Sequence, residues 1–209
     1  MAEKKDRPAY RIETPRTVVR CANPADAPLL HAAVNASRSH LRPWMPWARG
    51  ESISLDEQVE LLRRFRGEFD LDQDYKYSIF NHDETQIIGG SGLHTRIGEG
   101  AREIGYWIHA DYINQGYCTE VTCALTKVAF ELLKLSRVEI HCDPENKASA
   151  AIPGKIGYTH EATLRKRFVE GEEELRDTMI WTLFAEEYPT SLASSVEIKA
   201  FDVLGNRIL

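Results

Sequence analysis

Apolar and polar positions along the chain switch between a period of about two and a period of about 3.6, and each switch marks an element. Residues 1–15 are polar and flanked by prolines, a pattern that predicts a loose N-terminal arm. Residues 16–21 read as a strand centred on Val18 and Val19. Asn23 as N-cap, Pro24 at the first position and Asp26 in the first turn then open a helix whose apolar stripe runs to about residue 36. Pro43 and Pro46 exclude regular helix from 41–47, which also carries Trp44 and Trp47. Ser54 and Glu57 have capping-box spacing in front of a second helix over 55–69. Three strands follow at 75–80, 87–93 and 103–109, separated by turn residues at 81–83 and 98–100. The longest helical stripe spans 118–135, with Val121, Ala124, Leu125, Val128, Leu132 and Leu135 on one side. A strand at 137–142, a short helix at 147–155 closed by Gly157, and strands at 158–169 and 175–184 complete the series. The order β-α-α-β-β-β-α-β-α-β-β predicts one mixed α/β domain over 16–188, a mostly antiparallel sheet with helices on both faces. Residues 189–209 form a C-terminal extension, expected to pack on the domain or on a second copy of the chain.

Composition agrees with one domain and removes several functions. The 209 residues are 43% hydrophobic and 28% charged, enough for a sizeable core. A net charge of −6, with no basic block longer than Lys4-Lys5, argues against nucleic-acid binding. No apolar run approaches the ~18 residues of a membrane span, and the charged start has no apolar stretch behind it. Neither a membrane partner nor a signal peptide is expected, and a cytoplasmic protein is. Cys21, Cys118, Cys123 and Cys142 sit at no disulfide or metal spacing, and the histidines at no zinc spacing. Buried free thiols and no metal site are the expectation.

Chemistry concentrates in 102–158. Alternation puts Ile104, Tyr106 and Ile108 on one face of a strand and Glu103, Gly105, Trp107 and His109 on the other. The next strand opposes Val138, Ile140 and Cys142 to Glu139 and His141. Polar residues on two central strands predict a cleft, not a helix, over part of that face. Between the first of these strands and the long helix, Gly116 marks either an ordinary turn or a close backbone approach in which the following amides offer an anion site at the helix N-terminus. Gln115, Tyr117, Cys118 and Thr119 surround it. Neither dinucleotide nor Walker fingerprints are present. Gly89, Gly90 and Gly92 within a strand point to a bulge or a close backbone approach.

Asn146, Ser149, Lys155, Gly157 and Tyr158 follow the next strand. Together with the turn at Gly116 they resemble the two cofactor motifs of the GNAT superfamily of N-acetyltransferases, and the resemblance covers roughly residues 16–185. Segments 41–47, 103–107, 116–120 and 149–153 look like the branch of bacterial ribosomal-protein N-terminal (alanine/serine) acetyltransferases. The resemblance implies the acyl-CoA N-acyltransferase fold and acetyl-CoA as cosubstrate. Pantetheine would lie against Trp107, Ile108 and His109, pyrophosphate on Gln115, Gly116, Tyr117, Cys118 and Thr119, and Asn146 and Ser149 would contact the arm. The implied chemistry is direct attack by a primary amine, on a protein N-terminus or a small molecule, with Trp44 and Trp47 lining the acceptor pocket. Glu103 would serve as base with His141 or water as intermediary, and Ser149 as donor to the departing thiolate. The competing role for Glu103 is a structural carboxylate paired with Arg102 or Arg137. Ile113 and Asn114 depart from the family pattern, and Pro153 and Gly154 replace the region of a frequent tyrosine acid and predict an irregular or shortened helix. The alternative function is a non-catalytic acyl-CoA-binding or sensing module.

Overall fold

The computed structural model describes residues 7–167 and 175–209. Nine strands form one sheet: β1 (Arg11–Glu13), β2 (Thr17–Cys21), β3 (Tyr75–Asn81), β4 (Ile87–His94), β5 (Ala101–Ile108), β6 (Arg137–Cys142), β7 (Thr159–Arg167), β8 (Arg176–Phe184) and β9 (Lys199–Phe201). Their order is β7-β8-β6-β5-β4-β3-β2-β1-β9. Neighbours run antiparallel except β5 and β6, which are parallel as the strand–helix–strand unit requires. The α/β sheet architecture read from the pattern is therefore the observed one, enlarged by a short strand at each end of the chain.

Adjacent residues of a strand face opposite sides, so Val18 and Val19 seed two cores. On one face Val18, Phe80 and Ile87 pack against Ala27, Leu30 and Ala33 of α1 (Ala27–Leu41) and Leu62 of α2 (Leu55–Asp70). On the other, Val19, Ile79, Ile104, Val138 and Ile140 pack against Val121, Ala124 and Leu125 of α3 (Tyr117–Lys127) and Ile156 of α4 (Lys147–Ile156). Each of the larger side chains, Val, Leu, Ile or Phe, contributes about 1.5–3 kcal/mol by burial, and each alanine less. The capping box of α2 is present, with Ser54 accepting from the Glu57 amide and the Glu57 carboxylate from the Ser54 amide.

Several boundaries differ from the pattern. Arg11–Glu13, expected within a loose arm, pairs with β2 on one side and with β9 of the C-terminal extension on the other. Ile12 and Ala200 are fully buried there. The first helix begins as a 3-10 turn and runs on to Leu41, beyond the apolar stripe. Its buried position at Ser37 is polar because the hydroxyl accepts the Ala110 amide at 3.1 Å. The long helix changes to a π turn over Val128–Leu132, closed by the Leu133 amide on Val128. The last residues of the strand read at 158–169, and the turn after it, lie outside the described residues.

Candidate active site

Parallel pairing of β5 with β6 covers only Ala101, Arg102 and Glu103 against Arg137, Val138 and Glu139. Past that point β5 continues to Ile108 against β4, and β6 to Cys142 against β8. The two strands thus open a gap whose apex is the Glu103–Glu139 pair. The His109 amide bonds Ile88 of β4 at 2.9 Å, and in the same register Trp107 and Gly105 face β4, so beyond the apex Tyr106 and Ile108 turn their backbone groups to the vacated β6 side, an edge able to hydrogen-bond an extended amide chain. The end of β5 leads directly to the N-terminus of α3. Gly116 stands there with φ +83°, following Asn114 at φ +58°, and no side chain caps the helix. The first-turn amides at 117–119 therefore point outward as donors at the positive end of the helix.

Arg16 fixes this turn. Its guanidinium donates to the Gln115 carbonyl at 3.0 Å and to Glu120 at 2.6 Å, and stacks over the Tyr117 ring at 4.3 Å. Thr14 adds a 2.6 Å bond to the same carboxylate. Ile108 is buried in the core, whereas His109 accepts the Asp111 amide at 3.1 Å and so holds the start of the loop.

On the α4 side of the gap, Ser149 and Tyr106 come together. The Ser149 hydroxyl donates to the Tyr106 oxygen at 3.3 Å, and the Tyr106 hydroxyl donates to the Ser149 carbonyl at 3.1 Å. Pro153 explains the second bond. It stands four residues after Ser149 and lacks the N–H that a helix would send to that carbonyl, and Tyr106 supplies the donor instead. Contrary to expectation, the helix neither breaks nor ends early, but runs to Ile156 and closes on Gly157 at φ +113°. Asn146 caps it, its side-chain oxygen accepting the Ser149 amide at 3.1 Å. Burial keeps the Tyr106 phenol protonated well above its usual range.

The opposite face of the gap is ionic. Glu103 is 4% exposed and receives Arg96, from Nε at 2.7 Å and from Nη2. His141 lies between two carboxylates, Nε2 2.7 Å from Glu139 and Nδ1 3.5 Å from Glu103. Arg137 completes the group at 2.7 Å from Glu139. Burial alone would raise the Glu103 pKa, but the hydrogen bonds and charge of Arg96, with His141 behind them, hold it below the usual range. The structural partner of Glu103 is thus Arg96. Arg102 points to the other face, toward the Tyr75 ring, and Arg137 is committed to Glu139. Trp107 lies on Gly90, where an added Cβ would meet its indole nitrogen at 2.4 Å, and Trp47 meets it edge-on at 6.0 Å. The glycines of β4 serve close approach, as their spacing implied. Trp44 is half-buried, and its amide donates to the Leu41 carbonyl.

Burial raises every thiol pKa, Cys118 and Cys123 up to about 12, so none is activated as a nucleophile. The features that the pattern missed are Tyr106 as a hydroxyl, Arg96, and the neighbouring Asp74–His94 pair.

Residues 16–159 match the family model described as the acetyltransferase (GNAT) domain. The chain belongs to the GNAT acetyltransferases. Among curated relatives it is 30% identical over 113 residues to the uncharacterized N-acetyltransferase YnaD of Bacillus subtilis, a match covering 54% of this chain and 66% of YnaD. Its fold is similar to the ribosomal-protein-S5-alanine acetyltransferase of Vibrio fischeri, with TM-score 0.74 at 19% identity over 85% of this chain and 98% of that one. It is also similar to Mycobacterium smegmatis RimJ in complex with CoA-disulfide, with TM-score 0.74 at 22% identity over 89% and 91% of the two chains. Among the described residues no helix is long and apolar enough to cross a membrane.

Proposed function

We propose that this GNAT protein is a cytoplasmic N-acetyltransferase that moves acetyl from acetyl-CoA to a primary amine, foremost a protein N-terminus, by direct attack in a ternary complex. The observation that carries the reading is the gap between β5 and β6, which runs from the Glu103–Glu139 apex to the uncapped turn at Gly116. Amides at 117–119, with Gln115, Gly116, Tyr117, Cys118 and Thr119 around them, suit a pyrophosphate. The β5 edge at Tyr106 and Ile108 suits the pantetheine amides, with Asn146 beside the arm; of the expected contacts Trp107, Ile108 and His109, the His109 amide is taken by the Ile88 carbonyl at 2.9 Å. The thioester then falls near the apex, between Tyr106 and Ser149 on one face and Glu103 and His141 on the other.

Each group has a task in that arrangement. The Ser149 hydroxyl, backed by Tyr106, donates to the departing thiolate. A backbone N–H of β5 stabilises the oxyanion of the tetrahedral intermediate. Glu103 and His141, steadied by Arg96 and Glu139, form the ionic wall facing the amine and accept or relay its proton. Trp47 against Trp107, with Trp44 nearby, lines the acceptor mouth. The raised thiol pKa values support attack without an acyl-enzyme. A protein N-terminus as acceptor is supported by the fold shared with proteins named for ribosomal-protein acetylation.

Calorimetry with acetyl-CoA, followed by a thiol-release assay on a panel of N-terminal peptides and small amines, tests the proposal. Binding together with acetylation of at least one amine is expected. Gly116→Phe fills the close phosphate approach and strains a turn whose φ of +83° favours glycine, and the expected loss of binding is read beside circular dichroism showing that the rest of the fold is kept. Undiminished affinity in that variant refutes the cofactor site, and binding without transfer to any amine favours a sensing module.

A further inference from the structure

His94 ends β4 and lies on the same ionic face, yet none of the roles above uses it. Its Nδ1 is 3.0 Å from both carboxylate oxygens of Asp74. The ring then reaches across the sheet toward the gap. An added Cβ at Gly92 would meet Cε1 at 2.7 Å, and one at Gly105 would meet Nε2 at 3.2 Å. Two glycines on adjacent strands thus clear a track that delivers Nε2 over β5 at Gly105. That is the level at which β5 has just lost its β6 partner. Nε2 makes no hydrogen bond among the described residues. A cavity of about 280 Å³ flanks the ring, lined also by Glu68, Lys76 and Arg96.

We propose that His94, oriented by Asp74, is the group that takes the proton from the attacking amine, with Glu103 serving to hold Arg96 and His141 in place. The inference rests on the acetyltransferase reading and reassigns its base. With the Nδ1 proton given to Asp74, Nε2 carries the free lone pair, and it is offered at the apex of the gap. The amine nitrogen bonds to the thioester carbon, its proton passes to Nε2, the C–S bond breaks, and the thiolate leaves toward Ser149 and is protonated from water. The imidazolium returns its proton to solvent. Glu103 is poorly suited to that step, since both its oxygens are occupied by Arg96. The charged groups facing His94 are Asp74, Lys76 on β3, Glu68 on α2, and Arg96 and Glu103 at the β4–β5 end. Lys76 sits 2.7 Å from Asp74 and 2.6 Å from Glu68, and so anchors the orienting carboxylate. Burial would raise the Asp74 pKa, but His94 and Lys76 hold it far below the carboxylate range, so it stays an anion at working pH.

Two measurements test this. In nitrogen-15 spectra of histidine-labelled protein, His94 carries its proton on Nδ1, and its Nε2 signal moves when acetyl-CoA is added. A proton fixed on Nε2, or a signal indifferent to acetyl-CoA in protein that binds it, overturns the proposal. In the transfer assay, His94→Gln lowers kcat ~10²–10⁴-fold with acetyl-CoA affinity kept, and abolishes the acidic limb of the pH profile. His94→Gly regains turnover with added imidazole, a rescue that a structural role does not give. Gly105→Ala, which leaves both members of the pair in place but crowds Nε2, reduces kcat by an intermediate factor. Full kcat in folded His94→Gln overturns the proton role and leaves the acetyltransferase reading standing. Wild-type protein that fails to bind acetyl-CoA overturns that reading first.

Discussion

Replacing Arg96 by Met keeps the aliphatic stem and removes the guanidinium from Glu103. The carboxylate is 4% exposed, so it is left as a buried charge. Removing one partner of a buried pair costs about 3–5 kcal/mol. Here the Arg96 side chain is itself 61% exposed and His141 remains 3.5 Å away, so water and a second donor recover part of that cost. The expected loss at pH 7 is about 1.5–3 kcal/mol. Its pH dependence follows from linkage. The folded pKa of Glu103 is depressed, so the pair's contribution is complete above the unfolded value of about 4.3 and disappears as pH falls through the folded value. Arg96→Met and wild type should therefore differ most near neutrality and converge only once pH has fallen through the folded value, which lies below the unfolded one. Urea unfolding followed by circular dichroism at pH 7 and at a pH below the folded Glu103 value, located by carboxyl carbon-13 titration of the native protein, measures this with equal m-values. In a Glu103→Gln background the same Arg96→Met change should cost under ~1 kcal/mol, giving a clear coupling energy. An equal loss at both pH values, or an undiminished loss in the Gln background, refutes the pairing as the source of the effect.

Cys118→Ala should keep acetyl transfer within a few-fold of wild type, since burial holds its thiol up to about 12 and no thiolate is available; loss of turnover with retained acetyl-CoA binding would indicate a covalent route. Tyr106→Phe should unfold about 1–2 kcal/mol more easily, because the Ser149 carbonyl then loses the donor that replaces the Pro153 N–H, and a kcat drop without a change in acetyl-CoA affinity should accompany it. Gly90→Ala should destabilise by about 1–3 kcal/mol and shift tryptophan fluorescence, since the new methyl sits where the Trp107 indole lies. Ser37→Ala should cost about 1–2 kcal/mol in a melt by stranding the Ala110 amide, and a neutral result would mean that water reaches it.

Local rules carried most of the fold. The Ser54–Glu57 box, the Asn23 cap and the alternation of β5 and β6 are each set by neighbours in sequence, so their pattern survives without tertiary context. The two three-residue strands β1 and β9 escaped because they contain too few positions for a period, and their pairing joins opposite ends of the chain. Pro153 misled for a related reason: its helix position is tolerable only because Tyr106 answers the freed carbonyl from another strand. In the site, Gly116 announced itself as a turn glycine before a helix. Arg96 did not, because pairing by sequence proximity favoured Arg102, which the pleat of β5 sends to the opposite face. His94 and Asp74 stand twenty positions apart, and only the glycines between them hinted that something crosses the strands.

The sheet itself divides the chemistry. Tyr106, Ser149 and the thiols of Cys118 and Cys142 belong to the face covered by α3 and α4, while Glu103, Glu139, His141 and His94 belong to the face left partly open beside α1 and α2. A thioester in the gap would meet proton donors on its leaving side and ionic acceptors on its attacking side, with β5 backbone between them. Under the proposed reading such separation would suit single displacement, since a cysteine nucleophile would have to act from the face where burial raises the thiol pKa values. The glycines then take on a common meaning. Gly90 admits Trp107, and Gly92 with Gly105 admits His94, so residues that weaken strands in isolation clear the attacking face down to backbone level. If the proposed reading holds, an amine approaching there would meet Trp107 and Trp47 on one side and the His94 ring on the other, with room for a chain terminus arriving end-on.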